Sequence, residues 1–390
     1  MNQVDPAPIA QYLAAINDVG GTDLHLTAGA PPLIRRDGVL SPIEGESAFD
    51  ALHLEGLITS LLGPTLAAQF GDGKEIDFAF DYGPEVRFRG NAFRQKGTVA
   101  CALRRIPADI PTFEELGLPP IAEELARLPQ GLVLVTGPTG SGKSTTLASM
   151  IDWINTHRRC HIITIEDPLE YLHTHKKSAI NQREIGPDAE DFYTALRSAL
   201  REDPDVLLVG EMRDPESISV ALSIAETGHL VFATLHTNDT AQALDRIIDV
   251  FPAERRDQIQ VQLSSTLQAV IYQRLLPRTH GGLVAAFEVL RANHGVRNLL
   301  REGKTQQLRN VIATHSGEGM QTLEQSLTGL VADGVIDYDL ALGYSLHPKE
   351  VKQQRMINEP AQAIPPLPVA DGALEEPDTS AAGRRGFRRR

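Results

Sequence analysis

The spacing of apolar residues divides the chain into stretches of different period. Residues 8–18 carry apolar side chains at helical intervals, and Gly20-Gly21 ends that pattern. Asp23-Leu-His-Leu-Thr alternates and predicts a short strand, after which Arg35-Arg36-Asp37-Gly38 reads as a turn. A helical segment over 48–62 precedes three alternating runs at 75–81, 86–93 and 98–104. Together these predict an α+β domain over residues 1–106, and the prolines of 107–120 mark a linker. From residue 131 apolar runs alternate with helical segments, the pattern of a mostly parallel sheet. The expected order is a strand at 132–135, a helix at 144–156, a strand at 161–165, a helix at 189–200, a strand at 205–209, a helix at 215–226 and a strand at 230–235. Helices at 240–250 and 253–269, strand-like runs near 270–276 and 283–290, and further helices to about 348 complete a domain over 121–350. The fold class is α/β, with a helical C-terminal region.

Composition adds limits. Hydrophobic residues make up 42% of the 390, an ordinary globular share. A net charge of −14 argues against a broad nonspecific nucleic-acid surface, so no specific nucleic acid is expected as a partner. Cys101 and Cys160 stand alone and read as reduced cytosolic thiols. The N-terminus has neither a basic nor an apolar leader segment, and no stretch approaches the roughly 18 apolar residues that span a bilayer. The expectation is a cytoplasmic protein that meets a membrane through a partner. Residues 357–390 shift to Pro, Ala, Glu and Asp and end in Arg384, Arg385, Arg388, Arg389 and Arg390, which reads as a disordered tail.

The chemistry centres on Gly137, Pro138, Thr139, Gly140, Ser141, Gly142, Lys143, Ser144 and Thr145. An apolar strand breaks here into a glycine-rich turn and then a helix, matching G-x-x-x-x-G-K-[ST], a P-loop. Glycines let backbone N–H groups converge on phosphate oxygens, and the following helix adds its positive dipole end. Lys143 is placed to neutralise phosphates and Ser144 to ligate Mg²⁺. With this loop, the strand and helix order predicts a RecA-like core. Glu166 and Glu211 follow predicted core strands, at the edge where open α/β sheets bind ligands. They are candidates to hold Mg²⁺, directly or through water, and to activate water; an exposed loop acid is the alternative for each. His229 and His236 sit at the two ends of the 230–235 strand and are candidate γ-phosphate or subunit sensors. Neither has zinc-ligand spacing around it. Arg87 and Arg89 share one strand face, with Arg94, Arg104 and Arg105 nearby. Two readings stay open for them, a solvated basic face and an arginine finger.

These residues, with the longer motifs around them, resemble one family, the secretion-superfamily ATPases, and within it the PilT family of type IV pilus retraction ATPases. The motifs that carry the resemblance are Thr22-Asp-Leu-His-Leu-Thr-Ala-Gly-Ala-Pro-Pro, Gly137-Pro-Thr-Gly-Ser-Gly-Lys-Ser-Thr-Thr and Thr164-Ile-Glu-Asp-Pro-Leu-Glu. Asn181-Gln-Arg-Glu, Ala199-Leu-Arg-Glu-Asp-Pro-Asp, Val209-Gly-Glu-Met-Arg-Asp and Glu226-Thr-Gly-His-Leu-Val-Phe follow in the same order. The resemblance implies a PAS-like N-terminal domain, a RecA-like ATPase domain and a homohexamer holding ATP between the domains. It implies Glu166 in the Asp box, Glu211 in Walker B, His229 and His236 in the His box, and Arg87, Arg89 and Arg104 facing the nucleotide. Gly295-Val-Arg-Asn-Leu-Leu is similar to a motif tied to retraction, with Gly295, Val296 and Leu300 in place of the family's Ala, Ile and Ile; Gly90 stands where relatives usually carry Val.

The implied activity is ATP hydrolysis driving pilus disassembly and twitching motility. The implied partners are the inner-membrane platform protein, the rest of the pilus machinery and other pilus motor ATPases, so the chain would lie peripherally at the inner membrane. Alternatives within the superfamily are an accessory retraction paralogue or an assembly or type II secretion ATPase. The absence of a tetracysteine module disfavours the latter two. A RecA-like nucleic-acid motor and a nonhydrolytic scaffold are readings from other classes.

Overall fold

Two sheets with opposite pairing rules organise the protein, in a computed structural model that describes residues 4–36, 38–83, 86–106 and 109–353. Both lie in one compact unit, Met1–Gln353. The first sheet is antiparallel, with β1 (Asp23–Thr27), β2 (Leu33–Arg36), β3 (Val39–Pro42), β4 (Ile76–Asp81), β5 (Arg87–Gln95) and β6 (Thr98–Ile106) in the order β3-β2-β1-β6-β5-β4. Helices α1 (Ala10–Asp18) and α2 (Ala51–Gly71) bury Leu13, Ile16, Leu54, Ile58 and Leu61 with Leu24, Leu26, Phe88 and Leu103 of the sheet. Alternation along β5 puts Phe88 in this core and Arg87 and Arg89 on the other face. Gly90 sits under the ring of Phe78, whose Cζ would lie 2.3 Å from any Cβ added there, so no larger side chain fits unless that ring and the Leu103 side chain both move.

Helices α3 (Phe113–Leu116) and α4 (Ile121–Ala126) lead into the second sheet. Its strands are β7 (Gly131–Thr136), β8 (His161–Glu166), β9 (Ala179–Glu184), β10 (Val206–Val209), β11 (Leu230–Leu235), β12 (Leu267–Pro277) and β13 (Leu283–Arg291). The order is β13-β12-β7-β11-β10-β8-β9, parallel except for β13. Helices α5 (Lys143–His157), α6 (Phe192–Ala199), α7 (Pro215–Glu226), α8 (Thr240–Asp249) and α9 (Ala253–Thr266) connect the strands. Every residue of β7, β10 and β11 is buried, as a parallel strand covered on both faces requires. The strand order and the phosphate loop after β7 make this the expected RecA-like fold. The chain closes with α10 (His294–Arg301), α11 (Leu308–Thr314), α12 (Leu323–Ala332) and α13 (Tyr338–Tyr344).

Several elements differ from expectation. The turn after β2 is tighter than four residues: Arg35 and Arg36 pair with Leu40 and Val39, and Gly38 takes φ +80° in the hairpin. The helix expected to stop at 62 resumes beyond Gly63 (φ 67°, ψ 171°), because Pro64 fits the first turn of a new helical segment. The 189–200 helix begins only at Phe192, where the Asp191 carboxylate accepts from the Thr194 N–H at 2.6 Å. The linker holds its own helix, α3, fixed by a capping box between Thr112 and Glu115. β9 was not anticipated; as the edge strand Ala-Ile-Asn-Gln-Arg-Glu it buries only Ile180 and Glu184.

The chain's one tryptophan, Trp153 on α5, stacks on Phe113 of α3 at 6.3 Å and on His157 at 4.2 Å, with the Arg127 guanidinium 4.8 Å from its ring centre. This pile seats α3 on α5. Among the described residues no helix is long and apolar enough to cross a membrane. The tail at 357–390 lies outside the described residues, as do Pro107 and Ala108 of the linker.

Candidate functional site

At the C-terminal edge of the parallel sheet a cleft of about 510 Å³ collects residues from both sheets. Its floor is the loop between β7 and α5. Gly137 takes φ +149°, and a Cβ there would lie 2.3 Å from the carbonyl oxygen of Gln273, so only glycine lets β7 leave the sheet at this point. Lys143 opens α5 with its ammonium nearly buried. Nζ donates to the carbonyls of Gly137 and Pro138 at 3.0 Å each and faces His236 Nδ1 at 3.4 Å, so all three of its N–H groups have partners. Burial lowers its pKa from the ordinary lysine value, opposed by the charges of Glu211 and Glu170. Thr139, Gly140, Gly142, Ser144 and Thr145 line the cleft, while Gly137, Pro138 and Ser141 are not among its lining residues.

The two carboxylates are held in contrasting states. Glu166 ends β8, and burial pushes its carboxyl up to about 7, partly offset by the Gln182 side-chain amide at 3.4 Å. Glu211 follows β10. Burial opposes its charge too, but the Arg213 guanidinium at 2.7 Å and the His236 ring at 3.3 Å outweigh it and hold the carboxyl below the usual range. An ammonium only donates, so His236 Nδ1 accepts from Lys143 and Nε2 carries the proton that faces Glu211. Gly210 explains the Gly-Glu ending of this strand: a Cβ there would stand 3.2 Å from the Cα of Glu166. The missing side chain lets the ends of β8 and β10 approach each other.

The antiparallel sheet closes the cleft. Asp23, Arg104 and Arg89 sit opposite one another across β1, β6 and β5, bringing distant sequence positions into one row. Two facing arginines repel, and the Asp23 carboxylate answers one of them, accepting from Arg104 Nε at 2.8 Å. Of the family-implied arginines, Arg104 lines the cleft itself. Arg89 lines the adjoining cavities of about 480 and 230 Å³ that share Pro168 with it. Arg87 is engaged elsewhere, with Asp81 at 3.0 Å and Glu184 of β9 at 3.6 Å. His229 is not in the cleft. It precedes β11 at the opposite edge of the sheet, where its ring contacts Ile224 O and Thr227 Oγ1. A strand of six residues separates it from His236 by roughly 20 Å.

Four residues at the cleft were not singled out from the sequence. Asp23 orients Arg104, Tyr171 Oη contacts Thr145 Oγ1 at 2.9 Å, and His173 lines the wall, its pKa pushed down to about 4 by burial. The fourth, Gln273 on β12, bonds the phosphate loop from beneath. Asp23 had the clearest sequence signal, its place in the Thr22-Asp-Leu-His motif.

The profile of the family described as Type II/IV secretion system protein matches residues 73–324. A protein of Pseudomonas aeruginosa named type IV pilus retractation ATPase PilT is 47% identical over 333 residues, which cover 85% of this chain and 96% of that protein. A protein of Neisseria gonorrhoeae named twitching motility protein is 49% identical over 307 residues, covering 78% of this chain and 82% of that protein. Among solved structures, that of the pilus retraction motor PilT with bound ADP superposes with a TM-score of 0.83 at 46% identity, covering 89% of this chain and 99% of that one. The cleft's residues lie within or beside the matched segment, and the chain belongs to the type II/IV secretion system protein family.

Proposed function

We propose that this chain is a hexameric ATPase motor that powers type IV pilus retraction, with the cleft between its two sheets as the site of ATP hydrolysis. The observation that carries the reading is the convergence of Lys143, Glu166, Glu211 and Arg104 on one cleft, in a chain 47% identical to a protein named as a pilus retraction ATPase. The site residues fit a nucleoside triphosphate: the loop is already folded, and its lysine is at hand. Mg²⁺, ligated by Ser144 and by Glu211 directly or through water, would neutralise charge on the transferred phosphoryl group. Glu211, held ionised, suits that position. Glu166, with its proton affinity raised to near neutrality, suits acceptance of a proton from the attacking water. Arg104 reaches in from the other sheet and Arg89 stands beside it, so loss of the γ-phosphate would loosen the grip between the two sheets. Motion about the linker would then deliver the work. His229, facing away from this cleft, would act toward a neighbouring subunit.

The contrast between the carboxylates gives a pH signature. In the free protein Glu166 loses its proton-accepting form as pH falls through about 7, whereas Glu211 stays ionised. With magnesium in excess, so that the substrate phosphates remain ionised, kcat/KM for ATP should decline about tenfold per pH unit below that point. A flat profile between pH 6 and 8 would remove Glu166 from the proton-accepting role.

The partners of this reading are further copies of the chain, the inner-membrane platform protein, the pilus machinery and other pilus motors. Deleting the encoding gene tests it: retraction loss leaves cells hyperpiliated and non-twitching, whereas bald cells would make the chain an assembly motor. The retraction motif is tested at the exposed residues that flank it on α10 rather than at its last leucine. Leu300 is fully buried in the core beneath α10, so its truncation would unsettle the fold; the exposed His294 and Arg301 are the informative positions.

A further inference from the structure

We infer that Gln273 is a positioning residue that holds the phosphate loop in its binding shape before any nucleotide arrives. The inference rests on the reading of the cleft as a phosphate site. β12 runs beside β7 in parallel register, and their pairing ends at Tyr272 and Thr136. Gln273 is therefore level with Gly137, where β7 leaves the sheet and becomes the loop. It is a polar residue with 1% exposure in a strand otherwise filled by apolar side chains at this depth, so its amide needs partners. Both ends of the amide find them in the loop. Nε2 donates to the Ser141 carbonyl at 2.6 Å, and Oε1 accepts from the Thr146 hydroxyl at 2.8 Å, on the first turn of α5.

The backbone of Gln273 takes part as well. Its carbonyl oxygen occupies the space beside Gly137, and its Nε2 would lie 3.2 Å from a Cβ at Gly142. One residue thus touches the first glycine of the loop, a carbonyl in its middle, its last glycine and the start of the helix. Where the strand-to-strand ladder ends, this side chain takes over its function. A loop fixed in this way is already folded, and binding then need not order it.

The test measures ADP affinity by titration calorimetry, ATP turnover, and the melting temperature of the nucleotide-free full-length chain. Gln273→Met keeps the volume and removes both hydrogen bonds, leaving the Ser141 carbonyl and Thr146 hydroxyl without this partner. Its ADP Kd and ATP KM are expected to rise together by at least about tenfold, with kcat changing by less than about threefold. Thr146→Val removes one of the two bonds and guards against a Gln273 variant that fails to fold; its Kd is expected to rise by about threefold. If both variants bind ADP within twofold of the unsubstituted chain, whatever their melting temperatures, Gln273 is core packing and the inference is overturned. If the unsubstituted chain itself binds no ADP, the reading of the cleft has failed instead.

Discussion

Lys143→Ala is expected to lower ATP turnover by about 10³-fold or more and to weaken nucleotide binding with it. The ammonium is the one cation among residues 137–145, and it lines the cleft while bonded to the Gly137 and Pro138 carbonyls. Alanine removes that charge while Gln273 continues to hold the loop, so the variant should fold. His236 then loses the partner that fixes its tautomer, and the proton aimed at Glu211 is no longer assured. Phosphate release at saturating ATP and ADP titration together read the result. Turnover within tenfold of the unsubstituted chain would remove Lys143, and with it this cleft, from the hydrolytic site.

Glu211→Gln should separate binding from chemistry. The amide has the carboxylate's shape and can still accept from Arg213, so the end of β10 should keep its geometry. What disappears is a negative charge, held below the usual carboxylate range, from the cleft proposed to bind Mg²⁺ and ATP. Turnover is expected to fall by about 10²- to 10³-fold, with ADP affinity changed by less than about threefold. Loss of ADP binding would instead make Glu211 a structural partner of Arg213.

The parts of the site that the sequence reveals are those carried on one local segment. The phosphate loop is a contiguous motif, and Glu166 and Glu211 could be placed because each follows an apolar run that reads as a core strand. Asp23, Arg89 and Arg104 converge through pairing in an antiparallel sheet, whose register no short window of sequence encodes. Gln273 was hidden for a related reason. It lies 127 positions from Thr146, in a run read only as apolar, and its one signal was a lone amide among buried neighbours. His229 and His236 illustrate a distinction that was available. They flank the same strand, but only the C-terminal ends of parallel strands meet the ligand edge, which selects His236. β9 was missed because an edge strand facing partly outward needs few apolar residues.

The stack of Phe113, Trp153 and His157 gives the protein an optical property. Because the chain has one tryptophan, its intrinsic indole emission comes from a single place: the helix that begins at Lys143, at the point where the segment joining the two sheets rests on it. An imidazole in contact with one face of the indole and a phenyl ring on it make that emission sensitive to any shift of the segment. In the proposed motor, movement of that segment during turnover would change the indole emission, readable in solution without a dye.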